Sequence, residues 1–298
     1  MQEHYNKVGM YLEGLKASDS NTYIRLVMNS TKKELVFQRL FVCFDVGKKG
    51  WLAGCRRLLC VDVCFLKTFL GGQLLVAAGR DANDQMYPVA WAVVEGENND
   101  SWAWFMTEVK VCLQLGEGHG LEIILDEHQS ILDAVANILP NAEHRHCARH
   151  IFAHWHKSFR GDEMKLLFWR AAKSYNMSDY NDALNDMGKL DQEAVVGFRS
   201  YNPRVFCRAF MSTETQVDVI MNNLAQTFNG YIINVRTKHL IYMLEDIRTA
   251  LMQRLALKKI HMEKTSSKVC PRIQVKLEKA KEQAAQCNVT LSVQPGFK

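Results

Sequence analysis

The sequence has no apolar run approaching the ~18 residues that a membrane-spanning helix needs. Its opening MQEHYNKVGM lacks both the apolar stretch and the small-residue cleavage site of a secretory signal. The expectation is a protein that stays inside the cell and has no membrane partner. Proline and glycine are scarce, 5 and 17 among 298 residues, and there is no internal repeat or low-complexity segment, which excludes collagen-like and disordered classes. Regular cysteine spacing is missing too: nine cysteines are an odd number, and Cys43, Cys60, Cys64 and Cys112 fall in apolar runs where cysteine acts as a small hydrophobe. That usage fits a reducing compartment. What remains, 48% apolar and 23% charged residues, is a globular composition for one or two domains. The formal charge of +5 is concentrated: residues 251–298 hold ten Lys/Arg against three Asp/Glu, a local +7 that leaves −2 for the rest. A basic C-terminal segment suits contact with nucleic acid, and it equally suits a solvated helix.

Periodicity divides the chain. Residues 1–57 form a mixed flanking segment with one predicted strand at Leu40–Phe44 and a Gly-Lys-Lys-Gly turn at Gly47–Gly50. Three apolar runs follow, Leu58–Leu66, Gln73–Gly79 and Tyr87–Val94, separated by Gly71-Gly72 and by Asp81–Asp84, and predict an antiparallel meander. A helix capped at Asn99 or Asp100 buries Trp102, Phe105, Met106, Val109, Cys112 and Leu113, a spacing that assigns the WAWF segment to core packing. A strand at Leu121–Leu125, a helix near Ser130–Ile138 and a strand near Glu143–His146 complete a block at 58–150. Residues 151–218 read as helices at Ile151–Phe159, Glu163–Tyr175, Ser178–Lys189 and Gln192–Ser200, broken by Tyr201-Asn202-Pro203. Two more helices, Val219–Val235 and Lys238–Lys259, fill 219–260; the second carries a buried stripe of Leu240, Leu244, Ile247 and Leu251. A basic tail spans 261–298. The order of three strands, helix, strand, helix, strand is that of an α/β, ribonuclease-H-like mixed sheet, here with an all-α insertion and C-terminal helices. In it the fourth strand lies parallel beside the first.

That topology makes neighbours of Asp62, inside the apolar strand CVDVCFLK, and Asp126, which ends IILD, although 64 residues separate them. An acid in an apolar strand is costly unless it is paired or binds a metal. Two adjacent carboxylates suit hard Mg²⁺ or Mn²⁺ and the two-ion chemistry of phosphodiester hydrolysis or transfer. The segment His144–His156 holds five His and one Cys in 13 residues. It reads either as a zinc site using Cys147, His150 and His154 or as the start of a core helix.

The stretch VDVCFLKTFLGGQLLVAAGRDANDQMYPVAWAVVEGENNDSWAWF, then LDEHQSILDAV and LPNAEHRHCARH, resembles the transposase domain of Mutator-like elements, the MULE family of plant type. FWRAAKSY, NNLAQTFNGYI and MLEDIR resemble its downstream helices. The resemblance implies a nuclear, Mg²⁺- or Mn²⁺-dependent DDE transposase that cleaves and joins DNA at terminal inverted repeats, with a homo-oligomer as a further expectation. Asp62 matches the first carboxylate and metal ligand, Asp126 the second, and Cys147 and His150 the CxxH signature near the site. The third carboxylate, in a motif NxxExFN, falls on Gln226, so impaired catalysis is expected; a buried stripe of Leu224, Phe228, Tyr231 and Val235 would leave Asn222, Gln226 and Gly230 on another face of that helix, free to approach the site. Val63 replaces a usual Gly, and Glu127-His128 a more basic or polar pair. Neither a Cys/His zinc module ahead of the core nor a CxC…HxH cluster after it is found. This leads to the expectation of a decayed or domesticated core, alternatively a non-catalytic DNA-binding or regulatory protein or a transposon remnant. Glu245 is expected to stay away from the site. DNA contact is assigned to Arg254, Lys258, Lys259, Arg272 and Lys276.

Overall fold

The computed structural model describes residues 2–30, 35–68 and 71–288, so the end of the basic tail lies outside the described residues. A seven-stranded mixed sheet is built from β1 (Tyr23–Ser30), β2 (Leu35–Cys43), β3 (Leu58–Phe65), β4 (Gln73–Arg80), β5 (Met86–Val94), β6 (Glu122–Leu125) and β7 (Glu143–His146), in the spatial order β1-β2-β5-β4-β3-β6-β7. β3, β4 and β5 form the predicted antiparallel meander. Gly72, at φ 88°, lies so close to Val94 that a Cβ would sit 2.8 Å from its carbonyl oxygen, so the turn into β4 requires glycine. β4 and β5 read as continuous apolar runs because both of their faces are covered.

β6 lies parallel to β3, reached through α3 (Asn99–Leu113). Asn98, one residue ahead of the predicted cap, caps α3 in a reciprocal box with Ser101. The predicted apolar residues of α3 are all buried.

Two features of the N-terminal 57 residues differ from expectation. The segment contributes two strands, not one: β2 pairs with β5 (Leu40↔Val93, Val42↔Trp91), and β1 pairs with β2 along the sheet edge. β1, YIRLVMNS, carries Arg25 and Asn29 and a register shift at Val27/Met28, so it shows no clean alternation. Gly47–Gly50 is not a turn but part of α2 (Asp45–Gly54). Its glycines serve close packing: a Cβ on Gly47 would lie 3.2 Å from the Val89 carbonyl oxygen, and one on Gly50 would collide with the Tyr87 hydroxyl.

One face of the sheet is covered by α2, α3 and α4 (Gln129–Ile138). The other is covered by α1 (Gln2–Ser18), α9 (Asn223–Tyr231) and α10 (Leu240–Glu263). Between β7 and α9 the chain forms α5 (Ala148–Trp155), α6 (Asp162–Lys173), α7 (Met177–Leu190) and α8 (Gln192–Ser200), which enclose a separate third core around Trp155, Phe168, Phe198 and Phe206. Asn202, at φ 53°, breaks the run as expected before a 3₁₀ turn at Pro203–Val205. α9 is shorter than the predicted Val219–Val235: the chain before it is tied to α5, the Ala148 N–H donating to the Ile220 carbonyl at 2.8 Å. α10 buries the predicted stripe. Its Glu245 accepts hydrogen bonds from Tyr11 and Arg248. α11 (Pro271–Ala284) follows. No helix among the described residues is long and apolar enough to cross a membrane.

Candidate functional site

Along β3 the even-numbered Leu58, Cys60 and Cys64 join the core under α9, whereas Leu59 and Val61 join the opposite core. The period of two therefore turns Asp62 toward α9. The β3–β6 register (Leu58↔Glu122, Leu59↔Ile123, Cys60↔Ile124) has the offset that separates Asp62 from Asp126. Continued by two residues, that register would bring Asp126 beside Asp62, and the charge of Asp126 is felt at the Asp62 carboxyl.

Asp62 is half-buried and both of its carboxylate oxygens accept: Oδ1 from the Val63 N–H at 3.0 Å, Oδ2 from the Asn229 amide at 3.1 Å. Burial pushes its carboxyl up to about 7; the two hydrogen bonds oppose this, and the charges of Asp126 and Glu97 add to it. Asp126 Oδ1 accepts the His128 N–H at 3.1 Å, a local turn that leads into α4. Among the described residues neither acid forms an ion pair with Lys, Arg or His.

α9 carries the third position of the motif, and its rotation differs from expectation. Phe228 of the predicted stripe is fully buried and Leu224 and Val235 pack partly buried against the same core, but Tyr231 is 43% exposed, and Ala225 and Ile232 take buried places instead. Phe228 packs against Trp91, ring centroids 6.2 Å apart. The face toward β3 and α5 is thus Asn222, Gln226 and Asn229 at i, i+4 and i+7, where Gly230 had been expected. Asn222 is fully buried and donates to the Val61 carbonyl at 2.6 Å. Among the described residues Gln226 is hydrogen-bonded to α5 and not to Asp62. Its amide nitrogen lies 3.2 Å from His150 Nε2, and Arg149 donates to its oxygen at 3.4 Å. Asn229 makes the contact with Asp62, and sequence reasoning assigned it no role although it ends the quoted motif.

The Cys/His segment divides among several partners. Cys147 is fully buried at the N-cap of α5, its Sγ accepting the Asn222 N–H at 3.2 Å. His154 Nδ1 lies 3.4 Å, and His146 Nδ1 3.9 Å, from Glu127. Cys147, His150 and His154 do not converge on one ligand, and among the described residues no group of three or more His, Cys, Asp or Glu is arranged to hold a metal ion.

The basic residues assigned to DNA are largely engaged within the protein. Arg254 donates to the Met86 carbonyl at 3.0 Å, Lys258 lies 3.5 Å from Asp81, and Lys276 pairs with Asp84. The Arg272 N–H donates to Asn83 Oδ1 at 2.9 Å, and Lys259 lies 3.8 Å from Glu263. The acidic β4–β5 turn draws α11 onto itself, an attraction the local charge count could not reveal. At the far end of β6, Glu122 is a second raised acid. It is fully buried, accepts from Thr215 at 3.3 Å, and is pushed up to about 7 by burial against the opposing charge of Arg145.

The model of the MULE transposase domain family matches residues 58–154, from the start of β3 through α5. No curated protein matches the chain. Asp62, Asp126, Cys147 and His150 fall inside the matched span and α9 lies beyond it. Residues 58–154 of this chain are therefore a MULE transposase domain.

Proposed function

We propose that the chain is a transposase-derived protein acting on DNA in the nucleus, with a ribonuclease-H-like core in which Asp62 and Asp126 hold Mg²⁺ or Mn²⁺ for DDE-type cleavage and strand transfer. The observation that carries this reading is the parallel β3–β6 register, which points Asp126 toward Asp62, together with a half-buried Asp62 whose raised carboxyl feels the charge of Asp126, neither acid being in an ion pair among the described residues. A site of that kind fits a hard dication, which neutralises both charges and accepts oxygen donors. When bound, two such ions would stabilise the attacking and leaving oxygens of an in-line displacement. The chain's own part is positional. The Val63 N–H and Asn229 fix both oxygens of Asp62, the His128 N–H fixes Asp126, and Cys147 and His150 of α5 hold the two ends of the Asn222–Gln226 turn. Activity is reduced, because α9 offers amides where the motif has an acid. Terminal inverted repeats as substrate and a homo-oligomer belong to the same proposal.

The test is nicking of supercoiled plasmid by the full chain in MgCl₂ or MnCl₂, beside Asp62→Asn and Asp126→Asn. Slow, cation-dependent nicking that falls to background in both variants is expected. Nicking that survives either substitution, or none by the parent chain in either salt, overturns the reading.

A further inference from the structure

We infer that Asn229, rather than Gln226, is the α9 residue that completes the cation site at Asp62, its carboxamide oxygen acting as a neutral ligand. The inference rests on the cation-site reading above and goes beyond it, because sequence matching alone places the third ligand at Gln226.

Contact is the first argument. Asn229 is the α9 side chain that touches a candidate ligand, its Nδ2 lying 3.1 Å from Asp62 Oδ2. Both ends of the Gln226 amide are occupied elsewhere, by His150 at 3.2 Å and Arg149 at 3.4 Å. Those two residues belong to α5, which is itself tied to the chain entering α9 through Cys147 and Ala148. Bringing Gln226 to Asp62 requires breaking both of its own contacts with α5.

The second argument is an orphaned acceptor. Asn229 Oδ1 is buried and has no hydrogen-bond partner. A buried acceptor left without a donor is costly, and a carboxamide oxygen is a donor atom that hard divalent ions accept beside carboxylates. A half-turn of the carboxamide about its Cβ–Cγ bond exchanges the two ends. Without a cation the NH₂ group faces Asp62 and relieves its charge; with one, the oxygen faces the site.

Rigidity is the third. Phe228, the neighbour of Asn229, is fully buried against Trp91, and Asn222 is bonded to Val61, the neighbour of Asp62. α9 is thereby fixed in rotation against β3 at both ends of the motif, with Asn229 over the carboxylate.

The test is titration of Mn²⁺ into the full chain at pH 8 by calorimetry, with Mn²⁺ electron paramagnetic resonance as a second readout. Variants are Asp62→Asn, Asn229→Ala, Asn229→Asp and Gln226→Ala. Removing even an outer group of a metal site weakens affinity roughly 10–100-fold. Asn229→Ala is therefore expected to lose at least about tenfold. The isosteric Asn229→Asp should gain affinity by adding a charge, and Gln226→Ala should lose less than Asn229→Ala, because it removes a support of α9 and not a ligand. If Asn229→Ala fails to fold, as thermal melting without metal would reveal, Asn229→Asp alone decides. Parent-like affinity in both Asn229 variants, with a loss in Gln226→Ala, overturns the inference. Failure of the underlying reading looks different: no Mn²⁺ uptake by the parent chain, or uptake that Asp62→Asn leaves unchanged.

Discussion

Replacing Asp62 by asparagine should stabilise the protein above neutral pH and leave it almost unchanged near pH 4. The Asp62 carboxyl is raised from 3.8 to about 7 in the folded chain. Between those values the folded state binds a proton that the unfolded state does not, so stability falls as pH rises through that window. Each unit is worth about 1.4 kcal/mol, and roughly three units give a cost of about 4 kcal/mol that is absent below pH 4 and complete above about pH 7. In Asp62→Asn the new carboxamide would keep the Val63 hydrogen bond through its carbonyl oxygen, and the Asn229 carboxamide can turn its own oxygen toward the new NH₂ group, so few contacts are lost. The expected outcome is an Asp62→Asn variant more stable than the parent by about 3 kcal/mol at pH 8, after a small allowance for imperfect pairing. Urea denaturation of both proteins from pH 4 to pH 9 gives the difference directly. Glu122, also raised to about 7, tilts both curves alike and cancels. A difference that stays flat across this range would contradict the raised carboxyl, because Asp62 would then titrate like an exposed acid with no second charge beside it.

Asn222→Ala should destabilise by about 1–3 kcal/mol in urea, since it strips the Val61 carbonyl of its buried partner; an unchanged midpoint would mean that α9 is held by packing alone. DNA binding, followed by fluorescence anisotropy, should show a log K against log salt slope well short of about −4.5, the value for five phosphate contacts at −0.9 each. Lys258 and Lys276 already face Asp81 and Asp84. A slope of that full size, abolished by neutralising Lys258, Arg272 and Lys276, would contradict the docked arrangement of α11. Purified protein should contain no stoichiometric zinc, because Cys147 and His150 are turned to α9; stoichiometric zinc lost on Cys147→Ser would show that the cluster rearranges around metal.

What the sequence made legible was long-range where the pattern was strong. The apolar runs ending in Gly71-Gly72 and at Asp81–Asp84 produced the meander, and the buried face of α3 required a crossover that returns β6 parallel to β3. Asp62 and Asp126 follow from that pairing. Four things escaped because they depend on tertiary contacts. β1 is an edge strand without clean alternation, and α2 hides behind glycines that serve packing rather than a turn. The rotation of α9 is set by Phe228 against Trp91, which shifts the site face from Gly230 to Asn229. The docking of α11 depends on an acidic turn about 190 residues earlier, and a charge count along the chain cannot show it.

The cation site is tested most directly by an anomalous difference map from crystals of the full chain soaked in MnCl₂ at pH 8. A manganese peak is expected between the carboxylates of Asp62 and Asp126, with the Asn229 carboxamide turned toward it. No peak between those carboxylates at high soak concentration, or a peak instead at Glu127, His146 and His154, would contradict it.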